Sequence, residues 1–216
     1  MDVHASEKEQ IESLKKWWKE NGSSLITGAL LGLSLIFGAR AWMNWKDTQA
    51  ENASNSYAVM QTALKQNDLE MVRNQASQLI SQSSGSGYAV LAALVLAKLA
   101  VQDGELAAAQ AQLEWALEHA KTPQLENIAR SRLVRVLIDE KDYSQAAKVL
   151  AETTGVGEYQ AIYAELEGDL AFAQGETASA AAAYRDALAL LPATAPNVAY
   201  LRVKYENLAG KDAAAQ

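Results

Sequence analysis

Carboxylates are the residues of this 216-residue chain whose type and spacing come nearest to chemistry. Glu165, Glu167 and Asp169 crowd one short stretch, and Glu165 and Asp169, four apart, share one face of a helix. Such a pair can serve acid-base catalysis when environment separates the proton affinities of its members. The competing reading is a solvated helix surface, the usual fate of exposed acid pairs. The rest of the inventory is sparse. His4 lies in the N-terminal tail, and His119 falls near the end of a predicted helix, where it complements the helix dipole rather than binding a metal. The chain contains no His-Glu-x-x-His, no Walker lysine loop and no Gly-x-Ser-x-Gly. It has no cysteine, which removes disulfides, thiolate chemistry and cysteine-ligated zinc together. The residues therefore predict no enzyme, no cofactor and no metal site.

The elements that would carry these acids are helices in tandem. Lys65-Gln-Asn-Asp68-Leu, Val101-Gln-Asp-Gly104-Glu105-Leu, Glu140-Lys-Asp142-Tyr and Ala173-Gln-Gly175-Glu176-Thr each place a polar turn between two apolar-periodic segments. Asp68, Glu105, Asp142 and Glu176 follow one another at intervals of 37, 37 and 34 residues, close to the tetratricopeptide period of about 34. A fixed-period helix-turn-helix unit predicts an α-solenoid. The last unit is the clearest: Gly168 leaves room for a partner helix, Gly175 makes the turn, Ala180, Tyr184 and Ala187 recur along the second helix, and Pro192 closes it. The unit from Val90 matches with Ala93, Leu96, Ala97, Gly104, Ala109, Leu113 and Ala116 and lacks the closing proline at the expected site, although Pro123 lies two residues later. The unit from Asn127 matches with Leu133, Asp142, Tyr143, Ala146 and Leu150, and Ala53 to Ser81 matches thinly, as an atypical terminal repeat does. Ser83 to Gly87 and Thr153 to Gly157 read as loops between repeats; their Gly-x-Gly follows no strand and gives little support to a phosphate cradle. Asn197 to Leu208, after Pro196, predicts a final helix covering the last repeat, with Gly210 to Gln216 fraying.

Ahead of the repeats lies a different signal. Asn21 to Ala39 is an uncharged run of 19 residues, and about 20 helical residues span a hydrocarbon core of about 30 Å. Trp17 and Trp18 precede it and Trp42 and Trp45 follow, an indole belt for each headgroup layer, while Arg40 can snorkel. Two other readings compete. A buried hairpin helix of a soluble protein would not need paired tryptophans at its flanks. A cleaved secretory signal finds a small-x-small site at Ala39-Arg40-Ala41, but the segment ahead of the run is long and contains five acids. Lys8, Lys15, Lys16 and Lys19 precede the span and only Arg40 and Lys46 follow closely, which predicts a cytoplasmic N-terminus and, in a bacterium, a periplasmic C-terminal domain. Ser6-Glu7-Lys8-Glu9 matches a capping box, and Ile11, Leu14 and Trp18 then recur at helical spacing. That predicts a short helix at the cytoplasmic membrane face, with a frayed tail as the alternative. Within the span, Gly28-Ala-Leu-Leu-Gly32, continued by Ser34 and Gly38, predicts either close helix contact in the bilayer, including self-association, or the ordinary glycine content of a membrane helix.

The expected organisation is thus all-α: a segment 1–20, a single transmembrane helix with interfacial flanks 21–45, and a tetratricopeptide-like domain 46–216. The whole chain carries −7, and the first 46 residues, with six cations against five acids, contribute +1, so the C-terminal part carries −8. Such a surface repels phosphate backbones and excludes nucleic acid as a partner.

The acid-and-lysine N-terminus, Glu20-Asn21-Gly22, the glycine-spaced span ending Gly38-Ala-Arg40-Ala-Trp42 and the degenerate repeats together resemble the YfgM-type ancillary subunit of the bacterial SecYEG translocon. The resemblance covers essentially the whole chain. It implies a type II inner-membrane protein that associates with the SecYEG translocon and with a membrane-anchored periplasmic prolyl isomerase chaperone, helping pass exported proteins to periplasmic chaperones. The residues themselves point to a tethered interaction module. Transferring the groove-lining positions of tetratricopeptide proteins onto the first helix of each repeat picks out Tyr57, Leu91, Leu94, Lys98, Arg135, Ile138, Glu165, Asp169 and Phe172, and their mixed character suits an extended or helical partner segment, although each could instead be solvated or covered by a neighbouring helix. Lys98 and Arg135 hold equivalent positions in consecutive repeats, a basic strip in an acidic domain. An adaptor in envelope signalling or assembly using the same groove, and a hydrolase built on the acid cluster, are the rival functions.

Overall fold

The computed structural model describes residues 3–153 and 157–214, with side chains placed from residue 9 to 208 within them. Every regular element is helical among the described residues. The chain divides into two compact units, Met1–Asn52 and Ala53–Gln216.

The first unit is the larger part of α1 (Val3–Lys65). The sequence predicts a separate N-terminal helix or a frayed tail, whereas the structure continues one helix through Asn21 and Gly22. Nothing in the chain stops it: the first proline is Pro123, and a lone glycine costs a helix only about 1 kcal/mol. The Ser6 capping box lies outside the described side chains. The apolar side chains of this unit face outward, Leu35 at 74% and Phe37 at 67% exposure. Among the described residues this helix carries the one stretch long and apolar enough to cross a membrane. Two of its hydroxyls are satisfied internally, those of Thr27 and Ser34 donating to the carbonyls of Ser23 and Leu30 at 2.8 Å each.

The second unit is a stack of helical hairpins. The last turns of α1 pair with α2 (Leu69–Gln82), α3 (Gly87–Gln102) with α4 (Leu106–His119), α5 (Pro123–Asp139) with α6 (Tyr143–Ala151), and α7 (Gln160–Ala173) with α8 (Thr177–Leu190). A short 3-10 turn, Gly157–Tyr159, precedes α7, and α9 (Val198–Ala214) packs on α8. The last helix thus runs past Gly210, where the sequence predicts fraying.

The repeat lives in the turns. Asn67, Gly104, Lys141 and Gly175 all adopt left-handed backbone, with φ of 58°, 79°, 64° and 83°. The following residue then donates its N–H to a carbonyl five residues back: Asp68 to Ala63, Glu105 to Ala100, Asp142 to Leu137 and Glu176 to Ala171, all at 2.8 to 2.9 Å. These bonds satisfy the orphan carbonyls of one helix while the same residue caps the next. The four residues aligned by the sequence period are therefore the four N-caps of α2, α4, α6 and α8. Asp68 and Asp142 accept from the N–H three residues on, at 3.0 Å each, whereas Glu105 and Glu176 make no such bond. Aspartate carries the short side chain that N-caps prefer. Pro123 does not close the second repeat; it opens α5 at a first-turn position that lacks no needed N–H.

Small residues set the spacing inside each hairpin. Ala109, Ala116, Ala146, Ala180 and Ala187 are fully buried, and Leu113, Leu150 and Tyr184 fill the spaces beside them. Two polar ties align α5 with its neighbours. Arg130 is buried and donates to the carbonyl of Val149 at 3.3 Å and to Glu126 at 2.8 Å; Tyr163 of α7 donates to Asn127 at 2.6 Å.

Candidate functional site

The site begins with a missing side chain. A Cβ on Gly168 would lie 2.5 Å from two carbons of the Tyr184 ring, so only glycine lets α8 press its tyrosine against α7. The phenol then reaches past Gly168 and donates to Asp169 at 2.8 Å. From the other side α9, anchored on α8 by Leu201 and Leu208, brings in Lys204. Its ammonium donates to Asp169 at 2.7 Å and to Glu165 at 2.9 Å, and lies 4.9 Å from the Tyr200 ring centre and 5.5 Å from that of Tyr184. Hydrogen bonds and cation-π contacts together hold the amine. Burial by itself pulls the pKa of Lys204 down; the bonds to Asp169 and Glu165 outweigh it and hold the group above its ordinary 10.5. Burial pushes Tyr184 well up, and the bond to Asp169 pushes it further.

Glu165 is 7% exposed, so the sequence reading of this pair as solvated surface is corrected: it is an internal ion cluster. Both carboxylates are within hydrogen-bonding distance of one ammonium, which suits bracing three helices better than taking up a substrate proton.

Beside the cluster opens a cavity of about 900 Å³ between α5, α7, α8 and α9. It gathers five of the sequence-derived positions: Arg135, Ile138, Glu165, Asp169 and Phe172. Phe172 and Tyr200 stand exposed at 53% and 64%, and Asp139 also faces the opening. Arg135 pairs with no acid among the described residues. Arg132 stands three residues earlier on α5, and its pKa is lowered first by burial and then by the charge of Arg135.

The other sequence-derived positions lie elsewhere. Leu94, at 4% exposure, is a core residue of the central hairpins and presents nothing to a partner. Leu91 packs half-buried against the same core, and Tyr57 lies tilted against Tyr88, ring centres 5.3 Å apart, while its hydroxyl accepts from Gln61. Lys98 is exposed on α3, outside the cavity. Gly28, Gly32 and Gly38 belong to the first unit, where a Cβ on any of them would meet nothing within 4 Å. His119 ends α4, stacked on Trp115 at 4.0 Å with Nδ1 2.9 Å from the Trp115 carbonyl; no metal-ligating group occurs among the described residues.

Lys204 and Tyr200 are site residues that the sequence does not reveal. Their spacing of four, beside the buried stripe of Leu201 and Leu208, places them on one flank of a helix, but no local pattern tells that the flank meets acids 35 and 39 residues earlier in the chain.

Paired helices, left-handed turns at a repeating interval and a capping helix define a tetratricopeptide-like repeat protein, and the family profile described as a tetratricopeptide repeat-like domain matches residues 15–210. The chain is 30% identical over 184 residues to the ancillary SecYEG translocon subunit of Escherichia coli, covering 85% of this chain and 88% of that protein. It is 31% identical over 187 residues to the protein of the same name from Haemophilus influenzae, covering 87% and 91%, and 24% identical over 209 residues to that from Neisseria gonorrhoeae, covering 96% and 100%. The chain belongs to the family of ancillary SecYEG translocon subunits.

Proposed function

We propose that the chain is a membrane-anchored, non-enzymatic interaction module that associates with the SecYEG translocon. It is a type II inner-membrane protein: α1 crosses the bilayer, and the repeat domain acts in the periplasm. There it helps pass exported proteins to periplasmic chaperones, with a membrane-anchored prolyl isomerase chaperone among its partners. The observation that carries this reading is the pairing, in one chain, of an outward-facing apolar helix with a repeat domain whose last two hairpins leave an open, mixed-charge cavity. The groove-facing set Tyr57, Leu91, Lys98, Arg135, Ile138 and Phe172 is proposed as the partner surface, with Arg135 and Phe172 at its centre. Gly28, Gly32 and Gly38 are proposed as a second contact, within the membrane.

Affinity purification of the full chain in mild detergent is the test of association. Recovery of SecYEG together with a prolyl isomerase is expected; recovery of an envelope-assembly or signalling complex without SecYEG would replace this reading by the adaptor one. Orientation has its own test, because a chain without cysteine accepts single reporters cleanly. A cysteine at Ser179, which is exposed, reacts with a membrane-impermeant thiol reagent in intact cells, and one at Ser6 does not. The reverse pattern would end the type II assignment.

A further inference from the structure

The cavity between α5, α7, α8 and α9 carries three acids, Asp139, Glu165 and Asp169, against two cations, Arg135 and Lys204, an excess of one negative charge within a C-terminal part already at −8. Arg135 and Asp139 stand four residues apart on α5 and offset one another, so the uncompensated charge is that of two carboxylates sharing the ammonium of Lys204. Asp169 accepts from Lys204 and from Tyr184 on the same oxygen, Oδ1, and Glu165 accepts from Lys204 on Oε1; the second oxygen of each accepts no hydrogen bond from a described residue. Asp169 is the more reachable of the two, its side chain 20% exposed against 10% for Glu165. Three residues further along α7, on the same helix face, Phe172 exposes its ring at the opening, and Tyr200 stands at that opening from α9. A half-satisfied carboxylate beside an exposed aromatic face suits a guanidinium, which donates in its plane to the oxygen and stacks on the ring, better than a compact, strongly hydrated ammonium. A purely apolar occupant would cover the excess charge without pairing it, and an acidic one would add to it.

We propose, building on the translocon-associated reading above, that this cavity takes a basic segment of a partner protein, with an arginine paired to Asp169 and stacked on Phe172 and an apolar neighbour covering Tyr200. Arg135, on the α5 wall, repels the incoming cation and so holds it to the α7 side, while Asp139 draws a second cation of the segment to the rim. The negative charge of the surrounding domain brings such a segment in and turns an acidic one away.

The test uses the purified full chain in a non-ionic detergent and three fluorescent synthetic peptides: Arg residues flanking a Phe-Leu pair, and the same peptide with Lys, or with Glu, in place of every Arg. The arginine peptide is expected to bind, the lysine peptide to bind several-fold more weakly, and the glutamate peptide not to bind. Phe172→Ser, at an exposed position, weakens the arginine peptide by about tenfold and removes its advantage over the lysine peptide, with an unchanged circular dichroism spectrum. Asp139→Asn weakens the arginine peptide several-fold, and Arg135→Gln strengthens it several-fold. Asp169→Asn weakens it most; because that change also loosens Lys204, it is read beside Phe172→Ser, which leaves the ion cluster whole. Glutamate binding as strong as arginine binding overturns the proposal. So does lysine binding equal to arginine binding, which means a diffuse attraction to an acidic surface, and so does arginine binding indifferent to Phe172→Ser. Should the wild-type chain recover SecYEG yet bind no arginine peptide, the proposal fails and the translocon reading stands. Should the arginine peptide bind as described while SecYEG is never recovered, the translocon reading fails and the basic-segment site survives.

Discussion

Gly28 and Gly168 are the same residue in helices of two different kinds. A Cβ on Gly28 would enter open space, and the surrounding leucines, isoleucine and phenylalanine of the first unit stand outward; a Cβ on Gly168 would strike the ring of Tyr184. In the repeat domain the hydrophobic residues have found one another, so glycine there is a measured allowance for a known neighbour. In the first unit the apolar side chains face outward, and its glycines leave room that no described side chain fills. Substitutions that fill the two kinds of glycine should therefore separate cleanly.

The largest effect is expected at Gly168. Replacement by leucine should destabilise the repeat domain by about 2 to 3 kcal/mol, because overpacking a close helix contact forces strain that better helix propensity cannot offset. It should also dislodge Tyr184 and with it the bond to Asp169. Thermal melts of the full chain in detergent, followed through the transition of the repeat domain, measure it. A variant melting at or above wild type would show that α7 and α8 are not held together through this contact.

Much of this contrast is legible in the sequence. The turn residues, the small residues at Ala109, Ala146, Ala180 and Ala187, and Gly168 itself act over one or two helical turns, so periodicity finds them. Leu94 is assigned to the groove by its repeat position but lies in the core, because α3 is apolar around most of its circumference, with Lys98 its one charged residue, and one face of an apolar stripe looks like another. The uninterrupted α1 escapes sequence reasoning because a change in composition at Asn21 resembles a boundary, whereas the backbone needs a breaker to stop and has none. Arg135, Ile138, Glu165, Asp169 and Phe172 line one cavity, whereas Tyr57, Leu91, Leu94 and Lys98 do not. Lys204 does not follow from repeat geometry, since its role depends on where a helix outside the repeat pattern returns.

A smaller effect isolates that return. Tyr184→Phe keeps the ring that fills Gly168 and removes only the hydroxyl, so it should cost about 1.5 to 3 kcal/mol at most, the range for a hydrogen bond to a charged group. It also carries a pH signature. Tyr184 and Lys204 both have folded pKa values raised above their ordinary 10.0 and 10.5. The folded state thus retains protons that the unfolded chain releases, and the stability they contribute is complete below about pH 10 and lost as pH rises through the folded values. Denaturation from pH 8 to 11 should show a steep alkaline loss in wild type that is shallower in Tyr184→Phe. Parallel curves would mean that the hydroxyl bond does not link to folding.

Within the repeats, the turns offer a gain instead of a loss. Lys141 holds φ of 64°, a conformation in which glycine stands at Gly104 and Gly175 without penalty. Lys141→Gly should raise stability by about 0.5 to 1 kcal/mol, offset in part by the greater freedom of glycine in the unfolded chain. Chemical denaturation with an unchanged m-value would record it, and a loss of stability would show that the lysine side chain outweighs the strain of its backbone.

The smallest effect on folding, and the one that completes the comparison, belongs to the first unit. Gly28→Leu combined with Gly32→Leu should leave the melting of the repeat domain unmoved, because beyond the helix's own adjacent backbone nothing described lies within 4 Å of the added Cβ positions. Helix propensity favours the change by about 1 kcal/mol per site. If these glycines are simply the usual complement of a membrane helix, recovery of membrane partners and self-crosslinking are also unmoved. If they admit a second helix at close range, the two bulky side chains hold that helix away and recovery falls while the fold stays whole. The double variant therefore reads the contact without disturbing the protein that makes it. Joined with Phe172→Ser in the same chain, it apportions binding between the membrane and the repeat domain: independent losses that multiply mean two separate contacts, while a combined loss no greater than the larger single one means one partner surface engaged through a single step.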